Sequence, residues 1–331
     1  MMNTTTPAAV TLDLVAEILK NKTMPDCQGS KAPTKPHERS HGTSTSVLAR
    51  NIYATVESLM TELAAMKKQH EEFHKCLLGP TGEHTCEKFS SRAAKLGNRI
   101  DALKDLQWQV LKEEFPAAFD TYSGVGLRNG WEFVSQAQEK GAKEKPEPAG
   151  TIKLEGTSIT RNLVSRISEI ILHPPQNVPC ECIEEITPDE NVICTITDPR
   201  IQALFALSLE IRNMLQTVLP PDAPIPGKDF MTDDAEEVFS TWLKSQSLAN
   251  IDAIIKVTHE VKVAANVVQQ LAWCAVRETL DVAPDSISLR KDWKIVADEE
   301  EDENPFSAHL GGAVVVPITG RNALLEALMR R

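Results

Sequence analysis

A heptad pattern early in the chain constrains the fold more than any other feature. Apolar side chains recur from Ala49 onward at alternating steps of three and four residues, which is the spacing of a helical seam. The members of this seam are Ala49, Ile52, Val56, Leu59, Leu63, Met66, His70, Phe73 and Leu77. The pattern predicts one long helix over about residues 46–78.

A second helix is predicted directly after the first. The sequence Gly79-Pro80-Thr81-Gly82 ends the first helix, and the apolar spacing resumes at Cys86 and continues to Phe115, just before Pro116. Because the connection is so short, the two helices must fold back on each other as an antiparallel hairpin. Val47, Tyr53, Met60 and Leu78 lie beside the seam and widen its apolar surface. We therefore expect a further partner on it, either other helices of the chain or a second subunit.

The end of this region recurs later in the chain. The motif Leu127-Arg128-x-x-Trp131-x-x-Val134 matches Leu289-Arg290-x-x-Trp293-x-x-Val296, and each copy is predicted to form a β-hairpin, over about 124–134 and 286–296. In the first hairpin, Asn129-Gly130 predicts a type I′ turn. The preceding helices match as well, in the pairs Leu106/Leu271, Trp108/Trp273, Leu111/Val276, Lys112/Arg277 and Glu113/Glu278. We interpret the match as an internal duplication.

The predicted fold class is mainly α with small β-hairpins (α+β), built from a long antiparallel helical hairpin and two related helix-plus-hairpin modules. A further hairpin is expected over Val178–Thr197, and helices at about 198–218, 232–246 and 249–280. The predicted divisions are a short helix (8–22) and flexible linker in 1–45, a first module at 46–140, a linker at 141–156, a second module at 157–297, and an acidic tail with a short terminal helix at 298–331.

Composition excludes several classes of protein. The chain of 331 residues carries a net charge of −12, which disfavours a nucleic-acid partner. It contains no apolar run long enough to cross a membrane. The first 20 residues show no secretory signal, and the seven cysteines do not form a dense disulfide pattern, so a cytoplasmic location is expected.

A group of histidines and cysteines is the best candidate for a metal site. His74, Cys76, His84 and Cys86 flank the break between the two long helices, and His70 lies nearby. Imidazole and thiolate are the ligands that Zn²⁺ prefers. His74 and Cys76 can share a metal only if the first helix has unwound by Lys75, because residues two apart on a helix point in different directions. The alternative is that His70 and Cys86 are tolerated in the seam while His74 and His84 face water.

Two smaller groups allow a functional and a structural interpretation. Cys180, Cys182 and Cys194 fit either a metal corner or a cross-strand disulfide, and otherwise are buried thiols on a hairpin. Arg128/Trp131 and Arg290/Trp293 fit a stacking surface, or else tryptophans that cover the core beside partly exposed arginines.

The sequence carries no established catalytic or phosphate-binding motif. We therefore expect a non-catalytic interaction or scaffold protein without a cofactor, which self-associates or binds a protein partner through its long helix. The alternative is a zinc-binding enzyme or regulator that uses the histidine and cysteine group.

Overall fold

The computed structural model of the protein is mostly helical with small antiparallel sheets, which confirms the expected mainly α class with some β-structure. No helix among the described residues is long and apolar enough to span a bilayer. The structure describes residues 9–25, 38–43, 46–76, 82–114, 125–128, 132–136, 162–180, 185–188, 191–219, 223, 241–280 and 286–297. Within these ranges the backbone alone is described for 38–43, 72–76, 82–88, 125–128, 132–136, 215–218, 248–249 and 252.

The helices account for most of the described chain. They are α1 (Val10–Lys20), α2 (Val47–Cys76), α3 (Gly82–Glu114), α4 (Leu163–Leu172), α5 (Pro199–Val218) and α6 (Leu248–Thr279), and residues 241–245 are also helical. The long helices α2 and α3 run antiparallel. His70 near the far end of α2 stacks on Phe89, while Gln107 Nε2 donates to the Ala49 carbonyl at the near end, 3.2 Å away. The two helices therefore pack as an antiparallel pair.

The strands form two separate three-stranded antiparallel sheets. The first contains β1 (Glu38–Thr43), β2 (Val125–Arg128) and β3 (Glu132–Gln136) in the order β1-β3-β2. The second contains β4 (Val192–Thr195), β5 (Ile287–Arg290) and β6 (Lys294–Ala297) in the order β4-β6-β5. In each sheet the two strands that come later in the sequence pair with each other, β2 with β3 and β5 with β6. The first strand of the sheet, β1 or β4, pairs with the free edge of β3 or β6.

The register of the two sheets is the same. In the first sheet Ser40 pairs with Val134 and Gly42 with Phe133, so that one residue bulges between them. In the second sheet Val192 pairs with Val296 and Cys194 with Ile295, again with one bulged residue. Ser40 and Gly42 of β1 lie 152 residues before Val192 and Cys194 of β4. The same interval separates Val47 and Pro199, the first residues of α2 and α5.

The burial pattern of the helices also corresponds between the first half (residues 10–136) and the second half (residues 163–297). All nine buried residues in the described side chains of α3 have a buried counterpart 165 residues later in α6. These pairs are Leu96/Val261, Ile100/Ala265, Ala102/Val267, Leu103/Val268, Leu106/Leu271, Gln107/Ala272, Gln109/Cys274, Val110/Ala275 and Leu111/Val276. Periodic apolar positions specify which helix face is buried, so the two halves bury the same face.

The halves pack against each other through reciprocal contacts. α3 packs on α6, α1 packs on α4, and the short first helix of each half also contacts the long helix of the other, α1 on α6 and α4 on α3. Reciprocity of this kind characterises the isologous interface of a two-fold dimer. One continuous core results, with members from both halves.

Two details of the sequence-based prediction are wrong. Residues 38–43 were expected to belong to a flexible linker, but they form β1. The partner strand β3 lies about 90 residues later in the sequence, and residues 38–43 lack the alternation of apolar and polar residues that would predict a strand. Over Val178–Thr197 the described residues contain the single strand β4, which pairs with the distant β6 rather than within a local hairpin. The Asn129-Gly130 turn, the linker at 141–156 and the tail at 298–331 lie outside the described residues.

Candidate functional site

The distal arm of the α2–α3 hairpin is the least covered part of the apolar seam. We use the term distal arm for α2 from Met60 to Cys76 together with α3 from Gly82 to Lys95. Nearer the core, Ile52 and Val56 are fully covered, whereas Met60 is 44% exposed and Leu63 and Met66 are only half-buried. At about 1.5 Å per residue, the α2 part of the arm is on the order of 25 Å long.

The described contacts within the distal arm include an exposed ion pair and a pair of stacked rings. Arg92 forms an ion pair with Glu62 at 3.3 Å, and both side chains are largely exposed. Exposed pairs of this kind contribute about 0–1 kcal/mol, because water screens the charges. The stacked rings of His70 and Phe89, with centroids 3.8 Å apart, supply an apolar contact farther out. The arm is a two-helix structure whose outer face lacks a third apolar layer among the described residues.

The corresponding part of the second half has a small core of its own. Leu219, Ala223, Leu243, Ile251 and Ile254 are buried together, and Trp242 and Ile255 pack against them. α5 ends at Val218, which lies 152 residues after Met66, so this helix is shorter than α2. The distal arm therefore differs from the corresponding part of the second half. In the described part of the chain, only the second half has a separate buried cluster at this end.

The proposed zinc ligands lie at the tip of the distal arm. The backbone is helical through Cys76 and again from Gly82, so the unwinding before Lys75 that a shared site would require is absent. The side chains of His74, Cys76, His84 and Cys86 lie outside the described residues, and the zinc site stays a prediction. In the part of the chain that is described, no three histidine, cysteine, aspartate or glutamate side chains cluster in a way that could hold a metal.

The interface between the halves contains a buried carboxylate. Glu278, near the end of α6, is 4% exposed, and its Oε2 accepts the backbone N–H of Thr11 at 2.8 Å. Its Oε1 accepts the Thr11 hydroxyl at 2.6 Å and Arg99 Nη2 at 2.5 Å. The N-cap residue of α1, Ala9, has no side chain that can do this. Glu278 therefore caps α1 from the opposite half.

Glu113 makes the matching contact in the other direction. This residue lies 165 positions before Glu278, and its Oε1 accepts the backbone N–H of Val164 in the first turn of α4 at 3.0 Å. α4 has no side-chain cap of its own. Burial raises the pKa of Glu113, while the hydrogen bonds from Gln109 and from the α4 backbone oppose that rise. Glu113 near the end of α3 and Glu278 near the end of α6 thus each cap the first helix of the other half.

The two caps differ in how their charge is balanced. Arg99 of α3 reaches Glu278, but the residue 165 positions later is Ala264, so Glu113 has no equivalent arginine. Cys274 lies beside the first cap, with its Sγ 3.3 Å from Thr11 Oγ1, and burial raises the pKa of its thiol to about 12. The thiol is neutral at physiological pH, and Cys274 acts as a packing residue. Sequence matching found the pair Glu113/Glu278, but neither Thr11 nor Arg99.

The structure describes some of the remaining sequence candidates. Cys180 and Cys194 are free thiols, and Cys182 lies outside the described residues. Trp293 is 9% exposed and Arg290 is half-buried, as predicted. The side chains of Arg128 and Trp131 are not described.

Asp105 on α3 is a carboxylic acid whose burial should make the stability of the protein depend on pH. Burial, assisted by the nearby charge of Asp101, raises the pKa of Asp105 from 3.8 to about 6. The fold therefore favours the protonated acid, and this contribution is complete below about pH 4 and is lost as the pH rises through 6. We expect Asp105→Asn to raise the free energy of unfolding by about 2 kcal/mol at pH 8, with the gain vanishing near pH 4.

Urea unfolding at pH 4 and pH 8 measures this effect, with the exposed Glu57→Gln variant as the control. A gain for Asp105→Asn that is the same at both pH values would contradict the burial of an ionised Asp105.

No protein-family model matches the chain, and neither the curated proteins nor the solved structures compared with it provide a match.

Proposed function

We propose that this protein is a non-catalytic interaction protein that self-associates through the distal arm of its α2–α3 hairpin. The observation that carries the proposal is the change in coverage along α2. Side chains of the seam are buried where α1 and α3 both pack on α2, but they are half-buried farther out, next to the 44% exposed Met60. A second arm laid against this face would complete a helical bundle.

The duplicated architecture is a second part of the proposal. Matching strand order, bulge position, burial and cap glutamates all support an origin of the two halves as copies of one α-β-α-α-β-β unit. On this interpretation the chain is a covalently joined dimer of that unit. The contacts between the halves are made within one chain, and the distal arm of the first half is the surface available for a second copy.

Sedimentation equilibrium of the full chain at micromolar concentration tests self-association. We expect species heavier than 36.5 kDa, and we expect Met60→Glu to weaken the association by about tenfold or more, because a charge would enter an apolar contact. Met24→Glu is the matched control, since Met24 is 41% exposed and lies outside the arm.

A single 36.5 kDa species over a wide concentration range would contradict self-association. Equal effects of Met60→Glu and Met24→Glu would place the contact elsewhere.

Zinc binding is the second candidate function. It is supported by the placement of His74, Cys76, His84 and Cys86 at one end of the hairpin, where α2 ends and α3 begins. Because both helices include these residues, two side chains that lie two positions apart on one helix cannot both bind one ion in this conformation. The site would therefore use one of His74 and Cys76 together with one of His84 and Cys86. Elemental analysis of untagged protein tests it: one equivalent of zinc that is lost in a Cys76→Ser/Cys86→Ser variant supports the site, and metal-free protein contradicts it.

A further inference from the structure

A second concave surface lies away from the distal arm, between α5, α6 and the β5–β6 hairpin. It is a cleft of about 370 Å³, a size within the usual range of small-molecule sites. The side chains that matter for its chemistry are Cys180, Phe205, Arg212, Gln269, Leu289 and Trp293. We propose that this cleft binds a small carboxylate with a flat apolar body, which the guanidinium of Arg212 recognises and the aromatic walls enclose.

Arg212 supplies the charge. Its Nη2 donates to Gln269 Oε1, and among the described residues it has no carboxylate within ion-pair distance. Arg99, Arg166 and Arg200 by contrast are each paired with an acidic side chain. Arg212 lines the cleft and is exposed to solvent, so its guanidinium is accessible to a ligand.

The acidic residue that lines the cleft is paired with another arginine and not with Arg212. Glu210 also lines the cleft, but its carboxylate is held by Arg166. The planar fork of a guanidinium matches the two oxygens of a carboxylate. Since Gln269 uses its carbonyl oxygen for Arg212, its amide N–H₂ group remains the donor of that side chain. The Arg212 guanidinium and the Gln269 N–H₂ group thus give the cleft donors for the carboxylate of a ligand.

The walls of the cleft are aromatic and rigid. Phe205 packs edge-to-face on Trp273, with ring centroids 5.0 Å apart. Trp293 is fixed by a hydrogen bond from its Nε1 to the Val178 carbonyl at 3.2 Å. Both Asp292 and Trp293 have a positive φ, at 60° and 59°. A bulky residue in the left-handed region is strained, and such strain concentrates at binding sites.

A carboxylate fits this arrangement better than a phosphate does. Phosphate sites gather several backbone N–H groups or cations around a dianion, whereas this cleft has one uncompensated guanidinium in a protein of net charge −12. The counterpart of Arg212 in the first half is Met60, at the interval of 152 residues, so this binding property belongs to the second half alone.

The test titrates the full chain with phenylacetate and with phenylacetamide, its neutral isostere, by ligand-observed NMR. We expect saturable binding of phenylacetate with an affinity of about millimolar order. Phenylacetamide and the Arg212→Gln variant should each bind at least about tenfold more weakly. Arg92→Gln, which changes an exposed arginine on the distal arm, should bind phenylacetate as the unaltered chain does.

Three results would overturn the proposal. They are no saturable binding of phenylacetate up to about 10 mM, equal binding by the Arg212→Gln variant, and displacement of phenylacetate by lower concentrations of inorganic phosphate. The last result would assign the cleft to phosphate. Circular dichroism and the urea midpoint of Arg212→Gln show that the variant is folded, as expected for a surface side chain.

Discussion

Replacing Glu278 by alanine is expected to lower the free energy of unfolding by about 3–5 kcal/mol, because it leaves a buried arginine without its partner. Arg99 is 17% exposed, and its Nε and Nη2 atoms both donate to Glu278 Oε1, at 2.8 and 2.5 Å. The same change removes the acceptor of the Thr11 backbone N–H at the start of α1. Urea unfolding of the full chain measures the loss.

Glu113→Gln is a control at the corresponding position of the first half. Glu113 occupies the corresponding position in the first half, but it has no arginine partner among the described residues, and burial already raises its pKa. A glutamine retains an oxygen that can accept the Val164 N–H. We therefore expect a change within about 1 kcal/mol, the size of a single hydrogen bond.

A double-mutant cycle separates the ion pair from the cap. Arg99→Met and Glu278→Leu alone should each destabilise the protein, whereas the two combined should recover part of the loss, because no buried charge is then left unpaired. If Glu278→Ala and Glu113→Gln cost the same, the Arg99 contact contributes nothing, and the asymmetry inferred between the two caps is wrong.

The long helices could be predicted from sequence because their signals are local. The seam from Ala49 to Met66 repeats every three or four residues, and α2 (Val47–Cys76) matches the predicted 46–78 closely. The same holds for α6, predicted at 249–280 and observed at Leu248–Thr279. Matching Glu113 with Glu278 also identified two residues of the interface, although their role as caps requires partners that lie elsewhere in the chain.

The missed features depend on contacts between distant residues. β1 has the sequence Glu-Arg-Ser-His-Gly-Thr, which carries no alternation of apolar and polar residues, and it is a strand because β3 offers a free edge. Arg99 lies within a polar stretch of α3 and becomes an interface residue only when α6 packs beside it. The cleft at Arg212 likewise combines two helices, a hairpin and the segment at Pro179. No single window of sequence contains such a site.

Trp293→Ala is expected to lower the free energy of unfolding by about 3–5 kcal/mol, the usual range for a buried tryptophan replaced by alanine. Trp293 is 9% exposed, and its backbone carbonyl accepts the N–H of Ile196, the residue that follows β4, at 2.8 Å. Trp293→Phe keeps most of the apolar area but loses the Nε1 hydrogen bond to Val178, and should cost less than Trp293→Ala by about 1–3 kcal/mol. Chemical denaturation of both variants provides the comparison. Equal losses would show that the hydrogen bond to Val178, rather than the apolar area of the ring, accounts for the stability that Trp293 provides. No loss in either variant would place the ring in solvent and remove a wall of the cleft.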